Sequence, residues 1–427
     1  MKEFKFNLQM FANHVNVTTD TRDGAYNPAS TGGANTLSSE MKTFYDMTLI
    51  DEASASLVHD QFGQKRPIPA NGGKAIEFRR FFPLPKALTP LTEGVTPDGK
   101  RLDVTAITAT VNQYGDYITQ SDVLELTALD NTILEATKLL GRQAGATLDT
   151  ITRDILVAGT NVSYAPKWVS TTETAVTSRG GLNNTAQLNV KTVQKVVAKL
   201  RAQNAPTING DYVAIIHPYA AYALMRDPEW VDAHKYAQPD NLYTGEIGKV
   251  AGVRFVTSTE AKIIREPDLA SNSRTLAVNH DGGYSGAITS VAFDGGTVVA
   301  DALIGRKIVI NGISVEVTDN TNNSITFAST NFGTIADNAV IAPEGAADGS
   351  SVYCTLFLGE GAYGVTEITG GGLQTIVKQK GSAGTGDPLD QRSSVGWKAM
   401  KTAERLIESY IVRVESCVTD FADTAAN

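Results

Sequence analysis

Residues 74–111 read KAIEFRRFFPLPKALTPLTEGVTPDGKRLDVTAITATV. Ile76, Phe78, Arg80 and Phe82 alternate with Glu77, Arg79 and Phe81, and Thr105, Ile107, Ala109 and Val111 set the same rhythm in the second half. A side-chain period of two marks a strand. Between the two runs stand Pro83, Pro85, Pro90 and Pro97, which lack the amide a ladder needs and belong in loops and at edges. The stretch therefore reads as a long two-stranded arm with a stiff, extended tip. From Lys65 to Arg101, eight basic residues (Lys65, Arg66, Lys74, Arg79, Arg80, Lys86, Lys100 and Arg101) face only Glu77, Glu93 and Asp98, a net charge of +5. A two-stranded ribbon is marginally stable by itself. An arm of this length needs a surface to lie on, and its charge asks for an acidic one. The other reading is an ordinary surface hairpin with a solvated basic face.

The chain as a whole has the opposite sign. Its 427 residues hold 37 Lys and Arg against 46 Asp and Glu, a net charge of −9. That argues against a globally basic nucleic-acid binder and leaves a local basic patch open. An apolar fraction of 42% supplies the cores of about two to four domains. Charged residues make up 19%, below the ~25% of an average soluble domain, as suits a protein that covers much of its surface with partners. Cys354 and Cys417 are too few for a disulfide framework or a cysteine zinc cluster and point to a reducing compartment. No run reaches the ~18–20 apolar residues of a membrane span. The opening MKEFKFNLQMFA, interrupted by Asn7 and Gln9, is too short for a signal-peptide core. The expectation is a chain that folds in the cytoplasm and touches no membrane.

Outward from the arm, residues 1–40 lack periodicity and read as an N-terminal arm. Residues 41–64 turn helical through Phe44, Met47, Leu49, Ile50 and Leu57. After the hairpin, Ser121 or Asp122 caps a helix, with Glu125 at capping-box spacing from Asp122. Leu126, Leu129, Ile133, Ala136, Leu140, Ala144, Leu148, Ile151 and Ile155 form one stripe at spacings of three and four. Roughly 35 residues at ~1.5 Å each predict a rod of about 50 Å; a coiled coil seamed by another chain is the competing reading. Asn189 caps the next helix, DYVAIIHP is a buried strand, AAYALMRD a short helix and GKVAGVRFVT a strand. Residues 280–349 hold eight acids against Arg306 and Lys307, a net −6. Their short strands RKIVI, ISVEVT and SITFA predict a small acidic all-β insertion, Ig-like in kind. VYCTLFLG resumes the interrupted unit, and two strands around Val395, Trp397, Ala399 and Tyr410, Val412, Val414 close it. The fold class is α+β.

Chemistry is sparse. GEGAYG (Gly359, Gly361, Gly364) has dinucleotide-binding spacing after a strand, but β-branched, glycine-rich VTEITGGGLQTIV follows where a helix is required. The glycines read as turn residues, and no cofactor is expected. His14, His59, His217, His234 and His280 show no metal-ligand spacing, and no P-loop, serine elbow or Cys–His pair appears. Trp168, Trp230 and Trp397 are too scattered for a ligand platform.

DYVAIIHPYAAYALMRDPEW, GEIGKVAGVRFVTS, LGEGAYGV and DPLDQRSSVGWKAM resemble the major capsid proteins of tailed phages, in the group typified by coliphage N-four. FNLQMFA is similar to the start of many structural proteins from phages of Gram-positive bacteria. The resemblance covers most of residues 40–270 and 350–415. It implies the Hong Kong 97-type fold: an extended loop at 65–118 reaching over a neighbouring subunit, a peripheral domain at 119–189 with the spine helix, and an axial domain at 190–279. It further implies the insertion at 280–349 and a return to the axial and peripheral domains at 350–427. Lys74, Arg79, Arg80, Lys86, Lys100 and Arg101 become the expected inter-subunit contacts. The implied function is self-assembly of pentamers and hexamers into an icosahedral shell around double-stranded DNA, without sequence-specific binding and without catalysis. Portal, decoration or scaffolding proteins are the implied partners, the virion capsid the location and the host cytoplasm the place of assembly. Some relatives cross-link by Lys–Asn bonds; no pair is assigned. The alternatives are an encapsulin-like nanocompartment, a surface adhesin, which would need a signal peptide, and a nucleotide-binding enzyme.

Overall fold

In the computed structural model, Ala75–Phe81 and Val104–Thr110 pair antiparallel, from Ala75 opposite Thr110 to Phe81 opposite Val104. The structure describes Leu49 and residues 57–427, except 70–72, 82–83, 85, 89, 91–92, 94–98, 128–131, 170–171, 238–247, 368–371, 379–388 and 390. The N-terminal arm and most of the helical segment at 41–64 lie outside the described residues; Leu49 is helical and buried. At the hairpin root the alternation sorts its faces. Phe78 is buried against the body and Glu77 and Arg79 face solvent. The Phe78 ring occupies the place of a missing side chain: a Cβ on Gly364 would stand 2.6 Å from it.

Beyond Val111 the chain changes sheets. Asn112–Ser121 leaves the hairpin and pairs with Arg392–Arg405, whose other edge takes Tyr363–Glu367 and Gln374–Lys378. Gln64–Lys65 joins Tyr363–Glu367 in parallel. Under this distal sheet runs the long helix Thr132–Val157, with helix Asp122–Thr127 earlier in the chain. Leu129 of the predicted stripe lies outside the described residues; helix Thr132–Val157 has 26 residues, about 39 Å at ~1.5 Å per residue. Ser121 caps helix Asp122–Thr127: its Oγ accepts from the Leu124 amide at 3.3 Å. Leu140, Ala144 and Leu148 pack on Val395, Trp397 and Ala399, and burying each leucine is worth roughly 1.5–3 kcal/mol. Towards its end the buried face moves from the predicted Ile151 and Ile155 to Thr152 and Leu156. Leu156 and Val157 pack on Ile215, Leu356 and Leu358 of a second sheet, so one helix spans both.

That central sheet runs Val162–Tyr164, Ile411–Ser416, Val352–Leu358, Tyr212–Ile216, Val253–Thr257, Lys249–Val250. Every residue of Val352–Leu358 and Tyr212–Ile216 is buried, as a two-sided position demands. Val253–Thr257 lies parallel to Tyr212–Ile216, and helices Pro218–Met225 and Pro228–Ala237 make the crossover. The single strand expected over GKVAGVRFVT is two, folded back at Ala251 and Gly252, both at positive φ. The two final strands lie in different sheets: Arg392–Arg405 centres the distal sheet and Ile411–Ser416 sits in the central one. Tyr410 belongs to the 3-10 turn before it.

The acidic segment corrects the Ig-like expectation. Leu276–Val278, Tyr284–Asp294, Lys307–Ile310, Ile313–Asn320, Ser324–Ile335 and Val340–Pro343 close into a six-stranded barrel, whereas an Ig module is a sandwich of two sheets. Two long strands explain the closure. Tyr284–Asp294 and Ser324–Ile335 pair with register shifts between Ser285 and Ala287 and between Ile288 and Ser290, and such bulges bend and coil a sheet. Leu276 then pairs with Ile341 to seal it, which removes the open edges. Val278, Val291, Phe293, Ile308, Val317, Ile325, Phe327 and Ile341 fill the interior. The barrel touches the body at its Asn311–Gly312 turn, both residues at positive φ. A Cβ on Gly180 would stand 2.7 Å from the Gly312 carbonyl.

Candidate inter-subunit surface

The hairpin carries the six predicted contact residues in three settings. Lys74 is exposed at the root. Arg79 is exposed and Arg80 half-buried on the paired strands, and Lys86, Lys100 and Arg101 are exposed towards the tip. The structure thus puts all six on one limb but does not gather them into one cluster. Large apolar side chains accompany them in water: Leu84, Leu88, Leu102 and Val104 are 54%, 82%, 60% and 47% exposed. Single exposed leucines are ordinary, but a run of them along one limb makes that limb the candidate contact surface. Phe82, which the alternation places on one face with Ile76, Phe78 and Arg80, lies outside the described residues.

A buried polar joint holds the root of this limb, and spacing gave no hint of it. Asp149 of the long helix accepts from the His59 amide at 2.7 Å, and its second oxygen lies 2.6 Å from His59 Nδ1. Both side chains are wholly buried. Next to them the Asp60 carboxylate pairs with Lys401 and accepts from Thr152 Oγ1 at 2.6 Å, while Lys401 also donates to the Leu148 carbonyl at 3.0 Å. The Tyr363 hydroxyl donates to the His59 carbonyl. Burial pushes that phenol well above its usual pKa, so it stays a donor. A His–Asp pair can serve acid–base chemistry, but this one is sealed from solvent and faces no nucleophile among the described residues. Its contacts are those of a clasp joining residues 57–65 to the long helix and the distal sheet. The partners are 90 and 341 positions apart, too far for any local motif.

The remaining reactive side chains are also structural. His217 caps helix Pro218–Met225, its Nδ1 accepting from the Tyr219 amide at 3.2 Å, and burial lowers its pKa to about 4. Glu415, fully buried in the central sheet, takes both arms of Arg179 at 2.8 and 2.7 Å, and Arg413 at 2.9 Å. Cys354 is free and buried, its thiol pushed up to about 12 by burial, the opposite of a reactive thiolate. After Gly359 and Gly361 the chain enters strand Tyr363–Glu367, not a helix, so the glycine run is a turn between two sheets. Among the described residues no group of His, Cys, Asp and Glu could hold a metal ion. None of the described helices is long and apolar enough to cross a membrane.

The described fold combines a two-stranded limb, a helix packed on two sheets and an added barrel, and solved structures match it overall. The capsid of cyanophage Pam1 matches with a TM-score of 0.53 at 11% identity, over 94% of this chain and 100% of that one. The capsid of cyanophage P-SCSP1u matches at 0.50 and 12%, over 84% and 87%. That of Ralstonia phage GP4 matches at 0.50 and 11%, over 85% and 88%. At such identities the likeness establishes the fold alone. The family model for phage capsid protein matches residues 104–403. This chain belongs to the phage capsid protein family and is a structural capsid protein. No curated protein matches it.

Proposed function

We propose that copies of this chain assemble into the icosahedral shell of a tailed phage and enclose its double-stranded DNA. The observation that carries the reading is the hairpin, which holds Leu84, Leu88, Leu102 and Val104 in water beside exposed Arg79, Lys100 and Arg101. Neighbouring copies would cover that limb, with Lys74, Arg79, Arg80, Lys86, Lys100 and Arg101 as contacts. In the Hong Kong 97-type scheme, residues 65–118 are the extended loop, 119–189 the peripheral domain, and 190–279 with the barrel and residues 350–427 the axial unit and return. Pentamers and hexamers of one chain need a subunit that adapts, and the part of the limb beyond its seat at Phe78 would supply that freedom.

The shell encloses DNA without reading its sequence, since an acidic chain repels the polymer instead of gripping it. By the same argument the barrel, the most acidic part, belongs on the outer face. The subunit performs no catalysis; portal and scaffolding or decoration proteins are its partners, and assembly takes place in the host cytoplasm. Negative-stain microscopy of the expressed protein tests the reading. Closed shells or capsomer rings are expected; a monomer under all assembly conditions would overturn it.

A further inference from the structure

Two basic surfaces of this acidic chain differ in what accompanies their charges. On the hairpin the cations stand beside exposed leucines, as suits a surface for another protein. The second surface is helix Val190–Ala202, whose sequence VKTVQKVVAKLRA holds four basic residues and no acid. Val190, Val193, Val196, Val197 and Leu200 are buried in the core of the central sheet, which fixes the opposite side towards solvent. That side exposes Lys191, Gln194, Lys195, Ala198 and Arg201, with Lys199 half-buried. No large apolar side chain is exposed along it.

Lys191, Lys195 and Lys199 follow one another one turn apart, a row about 12 Å long at ~1.5 Å per residue. Lys191 pairs with Glu173. Lys195, Lys199 and Arg201 form no ion pair among the described residues, and the Lys199 Nζ donates to Ser163 Oγ at 3.5 Å. Burial and the neighbouring Lys195 charge lower the Lys199 pKa, as happens when cations repel with no carboxylate between them. Like charges one turn apart destabilise a helix. The dipole favours cations in the last turn, which covers Lys199 and Arg201 but not Lys195, two turns before the end. A protein partner needs apolar anchors and few lysines. A polymer of phosphates needs what this row offers: exposed cations that touch its backbone and read no base.

We infer that the exposed face of helix Val190–Ala202 meets the phosphate backbone of the enclosed DNA through Lys195, Lys199 and Arg201. The inference rests on the shell-forming reading above and names the side of the central sheet that looks inward. The chain as a whole still repels the polymer; this row is a local exception at the lining. The test uses the full-length chain, the single variant Lys195→Gln and the triple variant Lys195→Gln, Lys199→Gln, Arg201→Gln. Circular dichroism and thermal unfolding establish that each is folded. Unassembled protein is titrated with a short duplex of arbitrary sequence by fluorescence anisotropy, from ~50 to ~200 mM salt, and each phosphate contact adds about 0.9 to the steepness of the salt dependence. The single variant is therefore expected to be shallower than native by about 0.9 and the triple by about 2.7, so that native affinity falls about 40-fold more than the triple's across that range. Shells of the triple variant, counted by sedimentation and microscopy, are expected in native number with less nucleic acid inside. A folded triple variant that binds the duplex as the native chain does overturns the inference. If that variant also fails to assemble, the row is instead a contact between copies, with the acidic barrel as the surface that fits it. A native chain that never assembles sinks the shell reading, whereas one that assembles but shows no difference from the triple variant sinks this inference alone.

Discussion

His217 ends a strand with no exposed residue and starts a helix, and its unprotonated Nδ1 does the capping. Protonation would remove that acceptor and put a charge among Tyr219 and Tyr353, whose rings lie 4.9 and 5.3 Å away. The folded pKa therefore falls to about 4 from the usual 6.5. Below the unfolded pKa the unfolded chain binds the extra proton, so this contribution is present above pH ~6.5 and is lost as pH falls towards ~4. The loss is roughly 3 kcal/mol in all. Urea unfolding across that window should show the slope, and His217→Asn, which can still cap, should flatten it. At the clasp, Asp149→Ala would strand the His59 amide and ring in a dry site. Leaving a buried donor without its partner costs about 1–3 kcal/mol each. Asp149→Asn should cost less, because an amide oxygen can still accept from the His59 amide. An equal loss for both variants in denaturant midpoints would count against the clasp.

The long helix works as a beam because one stripe serves two sheets: Leu140 and Leu148 under the distal sheet, Leu156 under the central one. Leu148→Ala should destabilise the body by about 2–5 kcal/mol, as core truncations do, measured by thermal unfolding. The hairpin is attached differently. Its root is seated by Phe78 against Gly364, where any side chain would collide with the ring. Gly364→Val should lift the root, so that proteolysis between residues 65 and 104 accelerates while the barrel, which shares none of these contacts, keeps its protection. Cleavage at the native rate would refute the seat.

At the scale of the whole molecule, the barrel has its own interior, and its first and last strands lie side by side, Leu276 against Ile341. Paired strands are ~5 Å apart, so a few glycines can join residues 275 and 344. The excised chain should still fold, with a smaller urea m-value in proportion to the surface removed. Insoluble or unfolded protein would show that the body needs the barrel. The close approach of Gly180 and Gly312 implies that the barrel is held at one orientation instead of swinging on two linkers. This matters for a subunit repeated many times over one surface.

Period-two alternation in residues 74–111, the three-and-four stripe of the helix and the turn residues around the acidic segment could be read directly, because each depends on neighbours a few positions away. From them the α+β class, the basic limb, the beam and the separate acidic unit follow. The tertiary structure decided what depends on distant partners. Closure into a barrel needs Leu276 beside Ile341, the clasp needs His59 beside Asp149 and Asp60 beside Lys401, and the split of the last two strands between sheets depends on which edges were free. Local sequence sets backbone preference and which face is apolar; which apolar faces and which charges meet is settled only when the whole chain has packed.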